Sequence, residues 1–148
     1  HPAGVDQSAA LGIGGDQQVG WSSSGGPNPR AALWMGTAAS WVELHPAGYL
    51  SSKAYRTDGL QQVGHVIVSG VTHASLWSGD AASWVDLHPR GALWSEAFDV
   101  DDGQQVGFAR MAMGNVDRAA LWSGNAQSWV DLHPASNRPL AVSKRWPF

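Results

Sequence analysis

The residues best suited to catalysis lie in one short segment of the chain. Ser83, Asp86 and His88 are the three side-chain types of a serine hydrolase, in which a histidine activates the serine and a carboxylate orients the histidine. On a strand, Asp86 and His88 would point to one side, about 7 Å apart, and Ser83 to the other. This spacing does not build a nucleophile–base pair, so we predict no catalytic residue.

The same three residue types occur in two further copies, Ser40 with Glu43 and His45, and Ser128 with Asp131 and His133. A small chain rarely carries three copies of one active site. We therefore predict structural roles, in which the carboxylate and the histidine bond backbone groups at the rim of a sheet.

Metal binding is the second chemistry that histidines suggest. If the equivalent histidines belong to separate blades of a propeller, they lie too far apart to share an ion. The segment 99–103 loosely resembles a calcium loop, but it lacks the EF-hand spacing and the distal glutamate. We predict a turn there, and neither a metal site nor a cofactor.

These residues recur because the chain is built of repeats. Gln-Gln-Val-Gly stands at 17–20, 61–64 and 104–107, and His-Pro at 1–2, 45–46, 88–89 and 133–134, with spacings of 43 to 45 residues. The predicted single domain has repeats 1–46, 47–89 and 90–134, followed by a terminal strand or strap at 135–148. The chain begins in phase with the pattern, which favours an excerpt of a longer array.

Each repeat predicts four short strands. The first ends at a Gly/Asp turn, the second contains Gln-Gln-Val-Gly, the third ends in Leu-Trp, and the fourth is Ser-Trp-Val-Asp/Glu-Leu-His, stopped by proline. A variable segment separates the second strand from the third. Four strands in about 43 residues are typical of a β-propeller blade.

We therefore predict an all-β, propeller-type fold of three four-stranded blades plus a terminal strand. A β-trefoil also has three four-stranded repeats and is the alternative. Two observations favour blades: the copies are nearly identical, and 140–143 matches the start of a fourth repeat.

Composition excludes several classes of function. Only 14% of the residues are charged and the net charge is -3, so the chain lacks the basic patch of a nucleic-acid-binding protein. No apolar run approaches the roughly 20 residues of a membrane span. Cysteine is absent, which removes disulfides and thiol chemistry.

The segment His73-Ala74-Ser75-Leu76-Trp77, together with Gln-Gln-Val-Gly and Asp-Leu-His-Pro, resembles bacterial extracellular repeats of the HAF type. Arg30 and Arg118 replace the histidine in the other two copies. The resemblance covers 1–134 and implies a propeller-like fold and an extracellular or cell-surface location. It implies no activity.

Ligand-binding candidates lie outside the strictly repeated positions. Six of the nine tryptophans recur in every repeat and are predicted to pack between blades. The variable segments end in one polar residue per repeat, beside unrepeated aromatics. The predicted ligand-binding residues, of a type suited to carbohydrate, are Arg30, His73, Arg118, Trp21, Phe108 and Trp94. The alternative is that these residues merely form hairpin corners.

The sequence thus predicts a non-enzymatic binding or scaffold module, with carbohydrate as a possible ligand. Three blades are half of a ring, so the expected partner is a second copy, which closes a six-bladed homodimer. A purely structural self-assembling repeat is the alternative, and a glycosidase-like enzyme is the third hypothesis. The enzyme would need paired carboxylates at unrepeated positions, and Asp6, Glu96 and Asp117 form no recognisable pair.

Overall fold

The chain forms three four-stranded antiparallel sheets, one in each repeat, in a computed structural model that describes residues 1–135. We call these sheets blades 1, 2 and 3. In each blade, strands that are consecutive in sequence are also neighbours in the sheet. The prediction of an all-β fold with three four-stranded sheets is confirmed. The predicted terminal strand at 140–143 lies outside the described residues.

The strands are numbered in chain order. Blade 1 holds β1 to β4, which are Gln7–Gly14, Gln17–Ser23, Arg30–Trp34 and Val42–Glu43. Blade 2 holds β5 to β8, which are Ser52–Thr57, Gln62–Val68, Val71–Trp77 and Val85–Asp86. Blade 3 holds β9 to β12, which are Ala92–Asp101, Gln104–Met111, Val116–Trp122 and Val130–Asp131.

All strand pairing lies within a blade. Across residues 1–135 no ladder joins two repeats, and each sheet is open rather than closed into a barrel. A trefoil needs strands of different repeats to pair around a barrel, so this topology favours the blade arrangement. Among the same residues, no helix has the length and apolar character needed to cross a membrane.

Steric crowding explains why the fourth residue of Gln-Gln-Val-Gly is glycine. A side chain at Gly20, Gly64 or Gly107 would place its Cβ 1.9 to 2.0 Å from a carbonyl oxygen of the neighbouring first strand. The close approach occurs beside a β-bulge in that strand. Only glycine fits there, which explains why the motif keeps it in every repeat.

The fourth strand is shorter than predicted. Only two of its six expected residues form a strand, and the preceding Ala81–Ser83 is a single 3-10 turn, as are Ala38–Ser40 and Ala126–Ser128. Asp80 explains the turn, because its side chain accepts a hydrogen bond from the Ser83 backbone N–H at 2.8 Å. This local bond competes successfully with the strand.

The predicted variable loops are also mostly strand. In blade 2, β6 and β7 are separated by Ser69 and Gly70 alone, and both residues have positive φ. This is the backbone geometry of a tight hairpin turn. Val66-Ile67-Val68 belong to the predicted tail of the second strand, whereas the β-branched Val71 and Thr72 extend the third strand into the segment expected to be a loop.

The hydrophobic core lies between the blades. One cluster joins Val19, Leu33 and Leu44 of blade 1 to Val66 and Trp77 of blade 2. A second cluster repeats this arrangement between blades 2 and 3 and includes the fully buried Trp122. The predicted packing of the repeated tryptophans between blades is confirmed for Trp77 and Trp122.

Candidate functional site

Each residue of the predicted polar row is paired with a carboxylate. Arg30, His73 and Arg118 lie on the third strand of each blade, and each contacts the acid of the fourth strand. The three pairs are Arg30–Glu43 at 2.8 Å, His73–Asp86 at 2.8 Å and Arg118–Asp131 at 2.7 Å. These partners join two strands of one blade, so the row stabilises the blade, although exposed pairs of this kind contribute little.

The trio of Ser83, Asp86 and His88 does not assemble into a catalytic site. The Ser83 hydroxyl donates to the Asp80 carbonyl oxygen at 2.6 Å and accepts from the Ser78 backbone N–H at 2.7 Å. Asp86 accepts from the His88 backbone N–H at 2.8 Å. The serine therefore fixes a turn, and the carboxylate bonds a backbone group, as the sequence predicted.

His88 instead meets a serine of the next blade. Its Nδ1 lies 2.8 Å from the Ser95 hydroxyl, which accepts from the Ala74 backbone N–H at 3.0 Å. Because Nε2 faces the Ala92 carbonyl oxygen at 3.1 Å, it carries the ring hydrogen, so in the neutral ring Nδ1 accepts a hydrogen bond from the Ser95 hydroxyl. His45 and Ser52 repeat this contact at 2.7 Å. Both serines are fully buried, which excludes them as nucleophiles for an external substrate.

Burial keeps both of these histidines neutral. It lowers the pKa of His45 and of His88, and the neighbouring His73 lowers the pKa of His88 further. The His73 and His88 rings are stacked, with centroids 3.8 Å apart. A neutral ring fits the serine contact, since Nδ1 accepts a hydrogen bond from the serine hydroxyl there.

A second polar cluster forms at unrepeated positions that were not among the predicted site residues. The Tyr55 hydroxyl lies 2.7 Å from His65 Nδ1 and donates to Glu96 Oε2 at 3.1 Å. Burial lowers the pKa of His65 to about 4 and raises the pKa of Glu96. Burial and the Glu96 charge raise the pKa of Tyr55. Perturbed groups that converge from two blades are typical of a functional site.

Lys53 connects this cluster to Trp21. Its ammonium lies 5.6 Å from the centroid of the Trp21 ring. Within residues 1–135, Lys53 forms no ion pair, whereas Arg30, Arg110 and Arg118 all do. The one signal in the sequence was positional: Trp21 and His65 directly follow Gln-Gln-Val-Gly, where the repeat varies.

Two grooves open beside this cluster, and each contains an unrepeated tryptophan. The larger has a volume of about 440 Å³ and is lined by Asp6, Trp21, Ser23 and Lys53, among others. The smaller, of about 260 Å³, lies between blades 2 and 3 and is lined by Thr72, Trp94 and Glu96, among others. Of the six predicted ligand-binding residues, only Trp21 and Trp94 line these two grooves.

The other predicted residues lie elsewhere. Phe108 packs against Phe98 with ring centroids 5.7 Å apart, and the polar row is paired as described above. Within residues 1–135, no three His, Asp or Glu side chains cluster in an arrangement suited to a metal ion. The chain matches no protein-family model, no curated protein and no solved structure in the comparisons made.

Proposed function

We propose that the chain is a non-enzymatic scaffold module whose blades join those of a second copy, head to tail, in a closed six-bladed propeller. The exposure of one face of blade 3 carries this proposal. Equivalent side chains are 0% exposed at the two internal junctions (Val19, Leu44, Val63 and Leu87) but 42% and 49% exposed in blade 3 (Val106 and Leu132). A soluble protein rarely leaves such a face uncovered.

Blade 1 supplies the complementary face. Ala10 is exposed, while its equivalents Ala54 and Ala97 are fully buried. Ile13 is 71% exposed, whereas the equivalent Thr57 is 5% exposed. The two open faces are thus the same two surfaces that already meet twice within the chain. Such head-to-tail contacts form a ring when their rotation closes.

Glutamines define the register of these contacts. Gln62 Nε2 donates to Gln17 Oε1 at 2.8 Å across the first junction, and Gln105 Nε2 donates to Gln61 Oε1 at 3.1 Å across the second. Continuing the series would bring Gln18 of a second copy against Gln104.

Cysteine cross-linking tests this register, because the chain contains no cysteine of its own. We would prepare Gln18→Cys and Gln104→Cys separately, mix them and add a short bismaleimide. A cross-linked species near twice 15.7 kDa is expected in the mixture and not in either variant alone. Leu60→Cys, exposed in blade 2, is the control for random encounters. Equal cross-linking of all combinations would contradict the proposal.

Carbohydrate binding is a second candidate function, favoured by the two tryptophan grooves. Each combines an apolar ring with polar side chains, as small-ligand sites do. Trp94→Ala or Trp21→Ala should reduce binding to immobilised oligosaccharides, whereas Arg118→Ala should not. Binding that is lost in Arg118→Ala but kept in both tryptophan variants would place the site at the polar row instead. An extracellular or cell-surface location completes the proposal and rests on the resemblance to HAF-type repeats.

A further inference from the structure

We infer that the larger groove binds carboxylated sugars, with a sugar ring against Trp21 and the carboxylate on Lys53. The inference rests on the proposed carbohydrate binding. It adds the charge of the ligand and the two residues that select it.

Lys53 is the reason for an anionic ligand. Its ammonium lies over the Trp21 ring and has no carboxylate within 4.0 Å among residues 1–135. A cation on an aromatic face is partly desolvated and can still donate to an anion. Glu96 interacts with Lys53 at longer range, but its Oε2 accepts from the Tyr55 hydroxyl. The groove therefore offers one uncommitted positive charge beside an apolar ring.

Asp6 narrows the class of anion. One of its carboxylate oxygens accepts from the Gly25 backbone N–H, and the side chain lines the same groove as Ser23. Carboxylate and hydroxyl groups suit the many hydroxyl groups of a sugar. They disfavour a polyphosphate, whose several negative charges would meet Asp6. A uronic acid sugar has only one carboxylate per ring, so a single ring can place its carboxylate on Lys53 and its hydroxyl groups on Asp6.

The smaller groove differs in the residues that decide charge. Glu96 occupies the position equivalent to Lys53. The Arg110 guanidinium lies 4.4 Å from the Trp94 centroid, but it is paired with Asp117 at 2.7 Å. An anion would therefore meet a carboxyl and a neutralised cation there. Selection for acidic sugars belongs to the Trp21 groove.

Calorimetric titration with a linear trimer of galacturonic acid tests the inference, and the same trimer with methyl-esterified carboxyls is the neutral comparison. The acid trimer should bind the unmodified chain. Lys53→Met should weaken it about 10- to 100-fold, as expected for the loss of a hydrogen bond to a charged group. Arg90→Met removes one positive charge from an exposed residue that does not line the groove, and should bind as the unmodified chain does.

Esterification should weaken binding to the unmodified chain by a similar factor and have little further effect on Lys53→Met. The ligand is neutral if the two trimers bind the unmodified chain equally well and Trp21→Ala abolishes the binding of both. That result overturns the inference but leaves the proposed carbohydrate binding intact. Binding of the acid trimer that survives both Lys53→Met and Trp21→Ala places the site elsewhere and also overturns it. Lys53→Met decides the matter even if Trp21→Ala unfolds.

Discussion

Replacing Ser95 with alanine should destabilise the chain more than the loss of a single hydroxyl group suggests. The Ser95 hydroxyl joins two blades, because it accepts from the Ala74 backbone N–H at 3.0 Å and contacts His88 Nδ1 at 2.8 Å. Both Ser95 and Ala74 are fully buried. Alanine would leave the backbone N–H without a partner in a place that water does not reach.

The expected cost follows from these two partners. A buried N–H without a partner costs about 1–3 kcal/mol, and the half-buried His88, which water can reach, adds at most about 1 kcal/mol. The free energy of unfolding should therefore fall by roughly 1–4 kcal/mol. For a chain of this length, that corresponds to a melting temperature lower by about 2–16 °C. Ser52→Ala should cost as much, because the same contact recurs with His45.

The equivalent serine of the first repeat provides a matched control. Ser8 is half-buried and makes no side-chain hydrogen bond to the described residues. Ser8→Ala should therefore change the free energy of unfolding by less than about 0.5 kcal/mol when the chain is dilute. Thermal and urea unfolding of the three variants, at a concentration too low for association, give the comparison.

Ser8→Ala should nevertheless weaken self-association. In the proposed ring, Ser8 meets His133 of the second copy, as Ser52 meets His45. The dissociation constant should rise on the order of tenfold for one lost hydrogen bond. Equal destabilisation by Ser8→Ala and Ser95→Ala in dilute solution, or no effect of Ser95→Ala, would refute the reasoning.

Three further predictions concern other parts of the fold. Gly64→Ala should lower the free energy of unfolding in urea by about 3 kcal/mol, because the new Cβ would lie 1.9 Å from a backbone oxygen. Gly26→Ala is the control and should cost little, because a Cβ there meets no atom within 4 Å. Similar losses of stability in the two variants would contradict the steric explanation. Leu132→Asp should abolish self-association in a sizing experiment without unfolding the chain. The same substitution at Leu60, which is 79% exposed, should leave self-association unchanged. Association that survives Leu132→Asp would exclude the open face of blade 3 as the interface. The pKa of His65 is lowered to about 4, and its unfolded value is near 6.5, so stability should be full above pH 6.5 and decline towards pH 4. The lowered pKa values of His45 and His88 act in the same direction, and the raised pKa of Glu96 acts in the opposite one. Urea unfolding that showed no loss between pH 7 and pH 4.5 would be inconsistent with this account.

The repeat pattern was sufficient to predict the blades. A glycine-containing turn between the first and second strands recurs in phase, and the structure has positive φ at Gly15, Gly59 and Gly103. The repeated Leu-Trp pair likewise predicted the packing between blades. Such features depend on residues close in sequence, or on the repeat itself.

The 3-10 turn was missed because two local preferences compete in the fourth strand. Trp-Val-Asp-Leu-His has the alternation of a strand, but a capping side chain lies three residues before the serine in every repeat. The backbone N–H of that serine donates to the side chain of Thr37, Asp80 or Asn125, and these hydrogen bonds decide the outcome. The sequence contained the capping residues, but their weight against the strand pattern was not evident.

The candidate site was the least predictable part of the molecule. Tyr55 and Glu96 are separated by 41 residues, and only the stacking of blades 2 and 3 brings them together. The pairing of Arg30 with Glu43 likewise depends on strand register. Sequence position could identify Trp21 and Trp94 as unrepeated, but it could not show which cations were already paired.

The absolute mass of the unmodified chain in solution tests the head-to-tail ring most directly. Light scattering on a sizing column, across a dilution series, measures it without any substitution. The ring predicts a species near twice 15.7 kDa that dissociates only at low concentration. A compact, cooperatively folded monomer at every concentration would contradict it, and would mean that something other than a second copy covers the open face of blade 3.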